Sequence, residues 1–166
     1  KEVTITVTTS NGQVLVNYDQ PNDKIGFTSL ILNPKNKPMV HTDLFIMPNI
    51  TRVDYTFGEN GYIIISQCSP VSTLKTRVYT AIIYRVGFLT TILKPFMKFY
   101  TRRVIQQDVD IMLNQGENFK VDMSTDFHGT DADVVHSAIE RLRVFGVRGD
   151  NQSLSFSEKL ERKIWI

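Results

Sequence analysis

The chain has one cysteine, Cys68, so no internal disulfide forms within it. That fits a reducing compartment, and the expected location is the cytoplasm. Histidine is also scarce. His41, His128 and His136 form no H-x-x-x-H or H-x-x-x-x-H pair, and a lone histidine is more often structural than a ligand. There is no Walker loop, no G-x-G-x-x-G, no G-x-S-x-G and no C-x-x-C, which removes the common nucleotide, hydrolase and thiol-redox signatures. No apolar run approaches the roughly 20 residues that a membrane span requires, and no signal peptide is visible. A net charge of +2 is too small to argue for nucleic acid as a partner. The basic runs at residues 98–103 and 141–148 are interleaved with apolar residues and read as solvated helix faces.

What the chain does have is patterned apolar content. Its 166 residues suit one domain, and 42 % hydrophobic with 22 % charged residues describes a globular chain. Val3, Ile5 and Val7 alternate with threonines, Asn11-Gly12 signals a hairpin, and Val14, Val16 and Tyr18 alternate back. After an irregular connection over residues 21–38, strand patterns recur at residues 39–47, 50–57, 62–68 and 77–86. Short connections favour antiparallel neighbours, giving about six strands in a meander.

The period then changes. Residues 95–115 carry helical spacing, with Pro95 fitting the first helical position and Gly116 fitting a terminator. Such a helix spans about 30 Å. A second helix is expected over residues 131–145, capped by Thr130 or Asp131, with Asp133 in its first turn. Residues 148–166 read as a tail whose Ile164-Trp165-Ile166 end adds an edge strand or docks on a neighbour, as in a homo-oligomer. The expected fold is α+β: an antiparallel sheet with the long helix packed across it, a START-like helix-grip arrangement. Tyr55, Phe57, Tyr62, Ile64 and Tyr79 would line the substrate pocket, and most aromatic residues of this kind are ordinary core.

One carboxylate stands out. On the long helix, the neighbours of Asp108 three and four positions away are Val104, Ile105, Ile111 and Met112, all apolar. Asp110 has polar or solvent-side neighbours at most of the same positions. Asp108 is therefore expected on the apolar stripe, where an ionised carboxylate needs a cation or hydrogen-bond donors. The choices are a metal ion, an arginine, free backbone N–H groups, or work as a general base.

The run TRRVIQQD over residues 101–108, with Gln115 seven positions beyond the aspartate, resembles a known family. It is similar to the C-terminal catalytic domain of Rieske non-haem iron oxygenase α subunits, in the vanillate-demethylase-like and pheophorbide-oxygenase-like branch. The order of elements also matches, from the strand containing Thr76-Arg77-Val78-Tyr79 through the acidic helix to Asp131-Ala132-Asp133-Val134-Val135. The likeness covers most of residues 3–145, and Leu113 departs from a glutamate common in the family.

The resemblance implies that Asp108 is a ligand of a mononuclear Fe(II), which O₂ and an apolar, aromatic substrate would approach. The implied reaction is hydroxylation or demethylation, by a mono- or dioxygenase. Electrons would come from a ferredoxin or reductase through a 2Fe-2S Rieske cluster. The paired histidines and the cluster motifs of that family are absent here, and Cys68 alone cannot hold a cluster. They would lie upstream of Lys1, so the chain reads as an incomplete catalytic domain that by itself holds no iron tightly and is inactive. The alternative is a non-enzymatic helix-grip carrier of a hydrophobic ligand, in which Asp108 would pair with an arginine such as Arg77 or Arg85.

Overall fold

Alternating β-branched residues and tight turns build the first part of the chain into strands. The computed structural model describes residues 2–19, 33, 35–87, 90–122, 129–130, 133–147 and 157–165. Residues 21–32 and 34 of the expected irregular connection lie outside the described residues, as does His128. Strands β1 (Glu2–Ser10) and β2 (Gln13–Asp19) are joined by the two-residue turn Asn11-Gly12. Both turn residues have positive φ, 50° and 72°, which suits the twist of a two-residue hairpin. β3 (Met39–Ile46), β4 (Ile50–Phe57), β5 (Asn60–Ser72) and β6 (Lys75–Arg85) continue the meander. β7 (Glu158–Trp165) returns to pair with β1. All neighbours are antiparallel, and the sheet runs β6-β5-β4-β3-β2-β1-β7. The C-terminal segment therefore contributes an edge strand.

Gly61 on β5 is required by close approach. A Cβ there would stand 2.4 Å from the Tyr55 carbonyl oxygen, so only glycine lets β4 and β5 pair at this point.

Two helices follow β6. Helix α1 (Thr90–Asp122) extends beyond the expected 95–115 at both ends. The Thr90 hydroxyl donates to the Gly87 carbonyl oxygen at 2.8 Å. Pro95 lies inside the helix, close enough to its start that little of the hydrogen-bond ladder is lost. Gly116 stays helical and does not terminate it. Helix α2 (Val134–Val147) begins at a reciprocal cap. The Thr130 backbone N–H and hydroxyl both donate to Asp133 Oδ2, at 2.7 and 2.9 Å, while the Asp133 N–H donates to the Thr130 carbonyl.

Those hydrogen bonds, the backbone one first, hold the Asp133 carboxyl below its ordinary value of 3.8. A group with a depressed folded pKa adds stability above its unfolded pKa and loses it as pH falls through the folded one. Thermal melts should therefore separate the wild type from Asp133→Ala by a constant margin above about pH 5, and the margin should shrink as carboxylates protonate. A margin independent of pH down to full protonation would contradict this role.

The chain divides into two compact units, residues 1–86 with 129–166, and residues 87–128. In the first unit, α2 packs on β1 and β2. Ala138 and Leu142 join Val3, Ile5, Val7, Val14, Val16 and Phe45 in one buried cluster. The Arg143 guanidinium lies 5.5 Å from the centroid of the Phe45 ring. An α+β fold with an antiparallel sheet is what the strand and helix periods predict. Within this unit the short α2 lies against β1 and β2.

Candidate functional site

Register alone assembles an aromatic row on the face that α2 partly covers. Residues paired directly across an antiparallel sheet share a face, and the pairs Tyr18↔His41, His41↔Tyr55, Tyr55↔Tyr62 and Tyr62↔Tyr84 run across β2 to β6. The first four rings stand face to face, with centroids 4.1, 4.2 and 4.6 Å apart. Tyr84 continues the row at 6.3 Å, tilted by 39°. Strands sit about 4.8 Å apart, so upright rings at paired positions must stack. Each such contact contributes about 0.5–1.5 kcal/mol beyond burial.

Two residues along the strands lies a second row. Asp43 pairs with Val16 and Val53, Val53 with Ile64, and Ile64 with Ile82. This is an aliphatic floor with one carboxylate at its inner end. A third row, Phe45, Thr51, Ser66 and Thr80, bounds the floor on the side away from the rings. The Ser66 and Thr80 hydroxyls are 3.1 Å apart and hydrogen-bonded.

Asp43 is held by the aromatic row. The Tyr18 hydroxyl donates to its Oδ2 at 2.8 Å, and His41 Nε2 lies 3.0 Å from its Oδ1. A carboxylate only accepts, so His41 carries its proton on Nε2 in this contact. The His41 side chain is 11 % exposed and that of Asp43 is 32 %. Burial, then the hydrogen bond and charge of Asp43, push the Tyr18 phenol well above its ordinary value. Burial, then the Asp43 charge, raise Tyr55 as well. Both phenols therefore stay protonated through neutral pH.

Four of the expected pocket residues share this face. Tyr55 and Tyr62 are in the ring row, Ile64 is in the aliphatic floor, and Phe57 is buried beyond the rings, opposite Met39 and Asn60. Tyr79 stands on the other face, opposite Gln67, and is 57 % exposed. It is an odd number of residues from Tyr84, so one strand cannot present both to the same side.

Asp108 lies on α1, in the other unit, and is exposed. Ile111 and Met112 are 62 and 64 % exposed, and Val104 and Ile105 are exposed too. The expectation of a buried stripe is thus corrected. Spacing says which residues share a helix face and does not say that something covers it. Asp110 Oδ1 accepts a hydrogen bond from Gln106 Nε2 at 2.9 Å. Among the described residues of its own unit Asp108 makes no such bond, and Arg85, in the sheet unit, donates to the Glu59 carbonyl oxygen.

Tyr18, His41 and Asp43 are the functional candidates that sequence reasoning passed over. A signal was present. Met39, His41, Asp43 and Phe45 occupy alternate positions of one strand, and both ends of that series are apolar and buried. A carboxylate in an inward register needs donors, and here the neighbouring strand and its own strand supply them. No protein-family model matches the chain, and no curated protein matches it.

Proposed function

We propose that this chain is the catalytic-domain portion of a Rieske-type non-haem iron oxygenase that hydroxylates or demethylates an apolar, aromatic substrate. The observation that carries the reading is the TRRVIQQD run on a long helix that follows an antiparallel sheet and presents Asp108 as an exposed carboxylate. In this reading the aromatic row and aliphatic floor are the wall on which the substrate lies. The START-like helix-grip architecture belongs to this reading. A ferredoxin or reductase supplies electrons in the cytoplasm.

The iron itself tests the residues present. Among the described residues no three His, Cys, Asp or Glu side chains stand together as a metal-binding group. One carboxylate does not fit a complete iron site, which needs further ligands such as two imidazoles. The residues of this chain bind and orient the substrate and keep water from it.

The ring row by itself favours a second reading, a non-enzymatic carrier of a hydrophobic ligand. The two readings separate on the full-length polypeptide that contains these residues. The oxygenase reading expects the absorbance of a two-iron cluster, mononuclear iron, and O₂-dependent conversion of a methoxylated aromatic acid. A full-length polypeptide with neither iron centre and no oxygen uptake would remove it. A co-purified aromatic or lipid ligand in native mass spectrometry would then support the carrier.

A further inference from the structure

The geometry points to Asp43 as the polar anchor for the ligand, which makes the preferred ligand an aromatic ring bearing a hydrogen-bond donor. The inference rests on the reading that this sheet face is a ligand wall.

A carboxylate on an apolar sheet face is costly unless it is well hydrogen-bonded. Asp43 faces Val16 and Val53 across the strands and shares its face with the buried Phe45. Tyr18 and His41 supply one donor to each of its oxygens. Two ionised carboxylate oxygens accept about four hydrogen bonds, so each keeps a further lone pair. The side chain is also one-third open, 32 % exposed, whereas the His41 that holds it is 11 % exposed. The arrangement fixes the carboxylate and leaves part of it facing outward.

What lies beside that open part decides the ligand. Val53, Ile64 and Ile82 extend from Asp43 as an aliphatic strip three strands wide. Three strands at about 4.8 Å spacing match the length of a substituted benzene ring. The strip is flanked by Tyr55, Tyr62 and Tyr84 on one side and by Thr51, Ser66 and Thr80 on the other. An aromatic ring laid on the strip would place a substituent at its inner end against Asp43. A hydroxyl or protonated amine there gains an acceptor that is already oriented. A methyl group or a second carboxylate there meets a carboxylate it cannot satisfy. Tyr18 and Tyr55 keep their protons beside Asp43, so the negative charge of the site stays on the aspartate.

The probes are para-cresol and para-xylene, which match in shape and differ in one hydroxyl, titrated against the chain by ligand-observed NMR. A hydrogen bond to a charged group is worth about tenfold or more in affinity, so the unaltered chain should bind para-cresol about tenfold tighter. In Asp43→Leu that advantage should vanish, with para-xylene binding kept or improved. The comparison on the unaltered chain needs no variant to fold. Equal binding of the two probes, or a preference that survives Asp43→Leu, would overturn the anchor and leave the wall reading standing. Binding of neither probe to the unaltered chain would overturn both.

Discussion

Leu142→Ala should destabilise the sheet unit by about 2–5 kcal/mol, the largest loss expected from any change on α2. Leu142 is 0 % exposed and sits at i+4 from Ala138, so the two form the ridge that enters the β1–β2 surface. Val3, Ile5, Val7, Val14 and Val16 surround that ridge. β-Branched side chains in a sheet have few alternative rotamers, so the cavity would close poorly. Urea unfolding should show a lower midpoint with an unchanged slope. Val144→Ala on the same helix is the control. Val144 is 48 % exposed, and its truncation should cost no more than about 0.5 kcal/mol. Equal costs for the two would mean that α2 does not cover the sheet in the way described.

Phe45→Ala should cost about 3–5 kcal/mol, because a buried aromatic side chain is deleted. Phe45 is 6 % exposed and belongs to the same cluster as Leu142. Its ring also lies under the Arg143 guanidinium, so truncation removes a cation–π contact of about 0.5–1 kcal/mol. The melting temperature should fall by about 2–4 °C for each kcal/mol lost in a chain of this size. Phe45→Leu keeps most of the volume and should recover the greater part. A melting temperature unchanged in Phe45→Ala would place the core elsewhere. Leu142 and Phe45 touch one core, so the double variant should lose less than the sum of the two.

These two residues also show how far the sequence could be read. The period-2 alternation of β1 and β2 and the Asn11-Gly12 turn predicted the hairpin and its inward valines. The same alternation in β3 to β6, once the register is known, places the ring row. Register is what a single sequence does not display, because it depends on turn lengths and on pairing between strands distant in sequence. Tyr79 shows the consequence, since aromatic content suggested the pocket and parity puts it on the far face. The ends of α1 are not marked by its Pro and Gly. Pro95 is tolerated in an early turn, and Gly116 costs a helix about 1 kcal/mol without ending it. Asp108 and Asp43 exchange roles in one sense. Helical spacing suggested a carboxylate on an apolar face, and the carboxylate found among buried apolar neighbours is the one on β3. Asp108 keeps the motif that carries the family resemblance, and its exposure leaves the carboxylate accessible.

Under the proposed function Asp108, and not Asp110, would serve a mononuclear iron in the full-length polypeptide. Asp110 already accepts a hydrogen bond from Gln106, two residues away from the motif position of Asp108. The most direct measurement is iron content against cluster absorbance for the unaltered protein, Asp108→Ala and Asp110→Ala. The account predicts that Asp108→Ala loses the mononuclear iron, keeps the cluster absorbance and loses oxygen-dependent turnover, while Asp110→Ala keeps all three. Mononuclear iron retained at full stoichiometry in Asp108→Ala would contradict it.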